Sequence, residues 1–464
     1  HRLLLEETLD RLRLRYERRG FAEARVSAVT DWNEERTLVD VEIRVMEGPR
    51  RRAGHLIVRG NEDTESDVIR AAAGLVSGEP LSRERLLELQ RNLYRLGIFF
   101  RVEVDLAPPG DDPEHRDVIV RVVEGKTQRL SYGVGWDTEE GFGGLIGYSH
   151  ANVAGRAVRF QLDLRHSEKT ERYRLLLSRP YNRGGRWPGT ASALLFQEED
   201  DRPSFSLEQQ GAQLELARTR RQNRLSLFFD YRQNDLTLAP DVVLEDADLP
   251  PGQTGRDLMD IQIFSVIPRV VWDRRDDPLE PRRGNQLTLQ LQYALPVEEI
   301  STENFLKLFG QWVQYVPLGG DQILAGSFRV GGIEPLGSAP VSLAERFFAG
   351  GRTSHRAYGR DELGIPGETL DENGRPVGGR GLLLVNLDYR FPVVGNLGGT
   401  LFADGGNVWR SYRDANPREM KWGLGIGLRY RSPIGPLRLE WGWKLDREIG
   451  ESPSEIFVSF GNAF

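Results

Sequence analysis

The sequence predicts a membrane all-β protein, in which a sixteen-stranded antiparallel transmembrane β-barrel over residues 126–464 follows small α+β units. The main observation is a period of two: apolar and polar residues alternate along some sixteen short segments after residue 129. One example puts Leu287, Leu289 and Leu291 on one face and Gln290 on the other. Because a β-sheet satisfies every backbone group in a bilayer only when it is closed, an apolar outer face and a charged inner face predict a membrane barrel.

Segment length and loop length argue against the alternative, a soluble β-sandwich. The segments run about 9 to 13 residues, as a tilted membrane strand requires, whereas soluble strands average about 5–6. The connections alternate between tight turns, such as 154–156 and 394–396, and long ones, 239–260 and 335–380. Short periplasmic turns and long external loops are typical of an outer-membrane barrel.

Composition excludes several other classes of protein. The 464 residues include no cysteine, which removes disulfides, thiol catalysis and cysteine metal sites. The net charge is −7 and residues of both signs are interspersed, so the sequence lacks the basic patch of a nucleic-acid-binding protein. No apolar run reaches the roughly 18 residues of a transmembrane helix. The six histidines lack metal-ligand spacing, and neither a nucleophile elbow nor a phosphate loop occurs, so we expect no catalytic residues, metal or cofactor.

The first 125 residues contain one pattern twice. A helical apolar spacing ends at Gly20 and again at Gly97, and the two strand-like stretches that follow close on Glu47 and Glu124. Both pairs of landmarks are 77 residues apart, which indicates a tandem unit. The second copy reads β-α-α-β-β, with Thr64 as the expected N-cap of its first helix, and the first copy lacks the opening strand and helix. The two copies are assigned to residues 1–50 and 51–125. Because the chain opens inside a helical pattern, we expect a truncated N-terminus.

Several motifs carry a family resemblance. The pattern from Ile57 to Gly125, I-V-R-G-N … L-x-x-L-G-I-F-F-x-V-x-V … V-x-V-V-E-G, resembles a polypeptide-transport-associated (POTRA) domain. Residues 347–359 resemble the loop-6 signature of the BamA/TamA superfamily of outer-membrane assembly factors, and 402–406 its strand-13 signature. Residues 273–284 resemble the turn between strands 8 and 9, and 455–464 the closing strand. The resemblance covers essentially the whole chain and implies a bacterial outer-membrane barrel with periplasmic POTRA domains.

The loop-6 signature supplies the first group of candidate site residues. Its central tetrad in that superfamily is hydrophobe-Arg-Gly-aromatic, and here it reads His355-Arg356-Ala357-Tyr358. The tetrad departs from the family at His355 and Ala357, where an aliphatic residue and glycine are usual. The full candidate set of this loop is Gly350, Gly351, His355, Arg356, Ala357, Tyr358 and Gly359.

The residues themselves suggest what Arg356 does. Residues 335–380 form a connection so much longer than the usual 4–6 residues that it is functional or disordered. The period of two over residues 385–391 turns Asp388 into the lumen, and Asp404 lies one hairpin away on the face of Phe402. We expect Arg356 to hold a lumen-inserted loop through fork-shaped hydrogen bonds to these carboxylates. The alternative is a solvated external loop, where exposed ion pairs contribute only about 0–1 kcal/mol.

The second group of candidate residues lies where the barrel closes, between strand 1 (129–136) and strand 16 (455–464). Glycines on both strands supply little side-chain packing. A weak seam opens and presents unpaired backbone groups to an incoming strand, which is β-augmentation. The seam residues are Leu130, Tyr132, Gly133, Val134, Gly135, Phe457, Val458, Phe460, Gly461 and Phe464.

The resemblance implies an outer-membrane protein insertase that works without nucleotide hydrolysis, through POTRA sheet edges and the lateral seam. Its expected partners are unfolded outer-membrane or secreted β-rich polypeptides, membrane lipid and periplasmic accessory proteins, but not nucleic acid. One alternative is a two-partner-secretion pore, which threads a dedicated β-rich substrate through the same architecture. A passive porin is a further alternative, although porins have no use for tandem POTRA units or for this loop.

Overall fold

The computed structural model describes residues 2–461, apart from 22, 36, 109–111, 113, 182–188, 221, 243–259, 279, 299, 338–339, 433–434 and 449. The chain divides into two compact units. One unit contains His1–Arg129, His150–Phe160 and Ser178–Gly189. The other contains Leu130–Ser149, Gln161–Leu177 and Thr190–Phe464.

The N-terminal elements follow the repeated pattern. They are α1 (Arg2–Arg18), β1 (Arg25–Trp32), β2 (Val39–Met46), β3 (Arg52–Arg59), α2 (Ser66–Ala73), α3 (Arg83–Tyr94), β4 (Phe99–Leu106) and β5 (His115–Glu124). Strands β1 and β2 form an antiparallel pair, and the complete copy has the sheet order β3-β5-β4, with β3 parallel and β4 antiparallel to β5. The predicted β-α-α-β-β order of small N-terminal units is therefore confirmed.

The complete copy has its own apolar core. Helix α2 buries Ile69 and α3 buries Leu89 and Leu93 against Val118 and Val120 of the central strand. The 3.6-residue period of the helices and the period of two of the strand direct these side chains to one interior.

The N-cap predicted at Thr64 is wrong. Helix α2 begins after Glu65, and no side chain caps it. The backbone N–H of Thr64 donates to Glu124 at 2.8 Å, and its hydroxyl accepts from Asn152 Nδ2 at 2.9 Å. Tertiary partners therefore occupy the groups that a local cap would have used. Helix α3, in contrast, begins at a true cap, because the Ser82 hydroxyl accepts from the N–H of Arg85 at 3.1 Å.

Sixteen strands close into an antiparallel barrel, which confirms the predicted fold class. They are β6 (Gln128–Asp137), β7 (Gly141–Val153), β8 (Val158–Ser167), β9 (Thr170–Tyr181), β10 (Gly189–Asp201), β11 (Phe205–Arg220), β12 (Asn223–Leu238), β13 (Asp260–Asp273), β14 (Gly284–Leu295), β15 (Phe305–Gly319), β16 (Gln322–Pro335), β17 (Gly381–Val394), β18 (Leu397–Trp409), β19 (Lys421–Ser432), β20 (Gly435–Lys444) and β21 (Ser454–Gly461). Within the described ranges, no helix is both long enough and apolar enough to span a membrane.

The two faces of the barrel wall differ as the alternation predicts. Leu289, Leu437, Leu439 and Trp441 are each about 40% exposed and lie on the outer face. The intervening Glu440 is only 18% exposed because it faces an occupied lumen. The period of two thus fixes which side chains are available to the site inside the barrel.

Candidate functional site: the loop inside the barrel

The connection 336–380 between β16 and β17 packs against inward-facing residues of the wall. Its buried apolar residues, including Phe347, Tyr358 and Leu363, form one cluster with Leu382 and Leu384 of β17 and with residues of five further strands. Tyr358 is 1% exposed. A solvated external loop would leave such side chains in water, so the described part of this loop lies in the lumen.

The tip of the loop is fixed by Arg356, which is 7% exposed. Its Nε and Nη2 donate to the two carboxylate oxygens of Asp404 at 2.9 and 2.8 Å, and its backbone N–H donates to the same carboxylate at 2.9 Å. Nη2 also donates to Asp388 at 2.7 Å, and Nη1 to Glu440 at 3.3 Å. The guanidinium carbon lies 3.7 Å from the ring centroid of Phe402. Arg356 therefore combines a bidentate ion pair with a cation–π contact.

The strand register brings these partners together. Asn386 is opposite Asp404 and Asp388 is opposite Phe402 on the β17–β18 hairpin, so alternate residues of both strands face the tip. Asn386 Nδ2 donates to Asp404 at 2.8 Å and to the carbonyl of Ser354 at 2.6 Å. Burial alone would lower the pKa of Arg356, but the hydrogen bonds and charge of Asp404, with smaller contributions from Asp388 and Glu440, raise it. Arg356 is thus a permanent cation surrounded by three carboxylates.

The two departures from the family tetrad are accommodated locally. His355 is fully buried, and its Nε2 lies 3.1 Å from the carbonyl of Lys421, while its ring meets Tyr358 edge-on at 4.9 Å. Burial lowers the pKa of His355, which favours a neutral ring. Ala357 packs where a side chain on Gly423 would overlap it. The turn still closes, because the N–H of Tyr358 donates to the carbonyl of His355 at 3.1 Å.

Glycines allow the loop to approach itself and the wall. Gly350 and Gly351 have φ of 113° and 92°, a conformation that favours glycine. A Cβ on Gly350 would overlap the carbonyl of Gly359, the remaining glycine of the predicted set. On the wall, a Cβ on Gly442 would overlap the carbonyl of Arg356, and one on Gly425 the ring of Phe402. Sequence reasoning missed both wall glycines, although the glycines at 423, 425 and 427 recur with a period of two, which is a readable signal of close approach.

A second ionic cluster, also missed from the sequence, holds the root of the loop. The Glu345 side chain is 2% exposed, and its carboxylate lies 3.1 Å from the guanidinium of Arg232 on β12. Lys307 Nζ on β15 lies 3.7 Å from the same carboxylate and donates to the carbonyl of Glu345 at 2.6 Å. The loop is therefore attached to the wall at its root as well as at its tip.

Glu303, in the connection before β15, adds a titratable group to this cluster. It is 8% exposed, and burial, together with the nearby charge of Glu345, raises its pKa to about 7. The N–H of Ser342 and the charge of Arg346 oppose this shift. Folding therefore moves the titration of Glu303 from the acidic range to near neutral pH.

We expect attachment of the loop root to weaken as the pH rises from about 5 to 8. Because the pKa of Glu303 in the folded state lies above its ordinary value, its contribution is fully present below about pH 4.5 and is lost as the pH rises through about 7. The free energy changes by at most about 1.4 kcal/mol per pH unit in this window. The measurement is protease protection of the loop and the thermal unfolding midpoint against pH. Glu303→Gln should flatten the pH dependence, and an unchanged slope in that variant would contradict the assignment.

At the predicted seam, β21 pairs with β6. The described register opposes Ser459 to Asp137, Phe460 to Trp136 and Gly461 to Gly135. Leu130, Tyr132 and Val134 are 65%, 84% and 66% exposed on the outer face. Gly133 and Gly135 alternate with them on β6, and on β21 Phe457 is buried whereas Val458 is half-buried. Phe464 and the side chain of Phe460 lie outside the described residues.

Comparison with known proteins gives the same architecture. Residues 152–464 match the Omp85 superfamily domain, and residues 2–48 and 52–125 match POTRA, described as a surface antigen variable number repeat. The outer membrane protein assembly factor BamA of Nitratidesulfovibrio vulgaris is 25% identical over 451 residues, which cover 96% of this chain and 55% of that protein. The human sorting and assembly machinery component 50 homolog is 25% identical, covering 81% of this chain and 82% of that protein. The chain spans little more than half the length of the BamA relatives it matches.

Solved structures share the fold. BamA from Haemophilus ducreyi lacking POTRA domains 1–3 superposes with a TM-score of 0.75 at 19% identity, covering 99% of this chain and 93% of that one. CdiB from Acinetobacter baumannii gives a TM-score of 0.60 at 14% identity, covering 98% and 80%.

A closed sixteen-stranded barrel with a loop folded into its lumen and POTRA domains before it defines a class of outer-membrane proteins. The family model covers more than half of the chain, and the chain belongs to the Omp85 superfamily. The family resemblance inferred from the sequence motifs is confirmed. The barrel accordingly resides in the outer membrane and the POTRA domains in the periplasm.

Proposed function

We propose that this chain is an insertase that assembles β-rich polypeptides into the outer membrane at the β6–β21 seam. The observation that carries the proposal is the opposition of Gly135 and Gly461 in this ladder. Two glycines opposite one another have no cross-strand side-chain contact, which is the main source of stabilisation between paired strands. The names of the BamA and sorting-machinery relatives agree with an assembly function.

Opening this seam frees one edge of β6 and one edge of β21, while their other edges stay paired with β7 and β20. A client strand then pairs with the released N–H and C=O groups of β6 by β-augmentation, and no nucleotide is required. The sheet edges β3 and β4 of the complete POTRA unit offer extended client segments the same chemistry before insertion. The partners in this proposal are unfolded β-rich polypeptides and membrane lipid.

The alternative, a two-partner-secretion pore, makes a different demand on the loop. Threading a polypeptide through the lumen requires the loop to leave and breaks every contact of Arg356 with Asp388, Asp404 and Glu440. Pairing at the seam leaves these contacts in place. The buried ionic attachment of the loop at its tip and root therefore favours insertion over threading.

The test is reconstitution of the full-length protein in liposomes with a urea-unfolded outer-membrane barrel as client. We expect the client to become protease-resistant and heat-modifiable faster than in liposomes that contain an equal amount of a plain porin. Equal rates in the two preparations, with the protein itself correctly folded, would contradict the insertase. Uptake of a β-rich secretion substrate into the liposome lumen would instead favour the pore.

A further inference from the structure

The outer end of the seam is formed by the short turn after β6, residues 137–140, here called the seam turn. Asp137 organises it, because its Oδ1 accepts from the N–H groups of Glu139 and Glu140 at 2.9 and 2.8 Å. The N–H of Thr138 donates to the carbonyl of Val458 on β21 at 3.1 Å, and the N–H of Val458 donates to the Thr138 hydroxyl at 3.4 Å. The seam turn thus extends the β6–β21 ladder beyond the pair of Asp137 and Ser459.

The long loop contacts the same turn through Arg352, four residues before Arg356. The backbone N–H of Arg352 donates to Glu139 Oε1 at 2.9 Å. Its guanidinium lies 3.6 Å from Asp137 Oδ2 and 3.8 Å from Glu139 Oε2. A Cβ on the preceding Gly351 would overlap the Glu139 carboxylate, so glycine permits this close approach.

The contact is buried, which makes its loss costly. The side chains of Arg352 and Asp137 are 13% and 1% exposed. Among the described residues, Asp137 Oδ2 accepts no hydrogen bond. The guanidinium of Arg352 lies within ion-pair distance of this oxygen. Burial raises the pKa of Glu139, and the N–H and charge of Arg352 oppose that shift. Without Arg352, Asp137 and Glu139 would face each other in a confined space and would lose this ion-pair partner, with only the charges of Arg165 and Arg360 still acting on them among the described residues.

We propose that Arg352 is a positioning residue through which the lumen loop holds the outer end of β6 against β21, so that movement of the loop releases the seam at that end. The role of this coupling in insertion rests on the proposed function. The coupling itself is a property of the folded chain and requires no client polypeptide. Arg352 thereby couples the position of the loop tip at Arg356 to the β6–β21 seam, where lateral opening occurs.

Amide hydrogen exchange of the reconstituted protein, without client, tests this coupling. In Arg352→Ala, the amides of Thr138 and Val458 should exchange at least about tenfold faster than in the wild type, corresponding to about 1.4 kcal/mol. Arg352→Lys keeps the charge and should restore much of the protection. Arg375→Ala is the matched control, because Arg375 pairs with Asp241 of another connection and does so away from the seam turn.

Equal exchange at the two amides in Arg352→Ala and wild type, or equal acceleration in Arg375→Ala, would overturn the inference. If Arg352→Ala does not fold, Asp137→Asn carries the test, because it keeps the Oδ1 acceptor but removes the charge that faces Arg352; the same acceleration is expected. No client is present, so accelerated exchange in Arg352→Ala together with failed insertion by the wild type would count against the proposed function alone. Unaltered exchange in the variants with normal insertion by the wild type would count against the coupling alone.

Discussion

Arg356→Ala is expected to detach the loop tip and abolish most of the activity of the protein. The substitution leaves Asp388, Asp404 and Glu440 converging on an emptied position, with Asp404 fully buried. Removing one partner of a buried ion pair typically costs about 3–5 kcal/mol, because the remaining charge is uncompensated. The expected results are rapid proteolysis within 336–380, a lower thermal unfolding midpoint and a large loss of client insertion.

Two further variants separate the role of Arg356 from a general effect of removing charge. Arg360→Ala removes a neighbouring guanidinium that pairs with Asp200 at 2.6 Å but is 22% exposed, so we expect a smaller effect. Arg356→Lys keeps the charge but loses the fork that spans Asp404 and Asp388, and should fall between the two alanine variants. Equal tolerance of Arg356→Ala and Arg360→Ala would remove the assignment of Arg356 as the anchor of the loop.

A disulfide between Gly135→Cys and Gly461→Cys is expected to stop insertion completely and reversibly. These positions are directly opposite in the β6–β21 register, where Cβ atoms of paired strands lie about 4.5–5.5 Å apart. These 464 residues contain no cysteine, so none among them competes with the engineered pair. Client insertion should cease under oxidation and return on addition of reductant.

The same lock distinguishes the two mechanisms. A pore that threads its client through the lumen should retain most of its transport with the seam crosslinked, whereas an insertase should not. The single variants Gly135→Cys and Gly461→Cys are the controls for the substitutions themselves. Full insertion with the crosslink verified by mass spectrometry would refute lateral opening as the mechanism.

The sequence was sufficient for the fold class and for the inward and outward faces of most strands, because a period of two holds in most wall segments. It also identified Asp388 and Asp404, since the hairpin between β17 and β18 has only two turn residues and its register follows from that. Glu440 was missed as the third carboxylate, although its inward face was readable. Which residues of β20 lie level with the loop tip at Arg356, 84 residues away in sequence, depends on the stagger of all the strands of the barrel.

The seam register was beyond sequence reasoning for the same reason. The alternation alone does not say which residue of the last strand faces Val134, for instance Val458 or Ser459. In the structure Ser459 is opposite Asp137, three residues along the strand from Val134. Nothing in either strand fixes which residues meet when the first strand pairs with the last. The ion pairs of Glu345 with Arg232 and Lys307 at the root of the loop could not be predicted either, because these partners come from strands far apart in sequence.

The position of the loop also constrains how this chain itself is made. The loop contacts β12 and β15 through Glu345, β17, β18 and β20 through Arg356, and the end of β6 through Arg352. A segment with so many buried charges does not enter a finished cylinder, because each charge would have to shed its water before meeting its partner. We therefore expect the nascent sheet to curl around the loop before the first and last strands pair. Because contacts such as that of Arg352 with Glu139 join residues 213 apart in sequence, we expect this step to be slow.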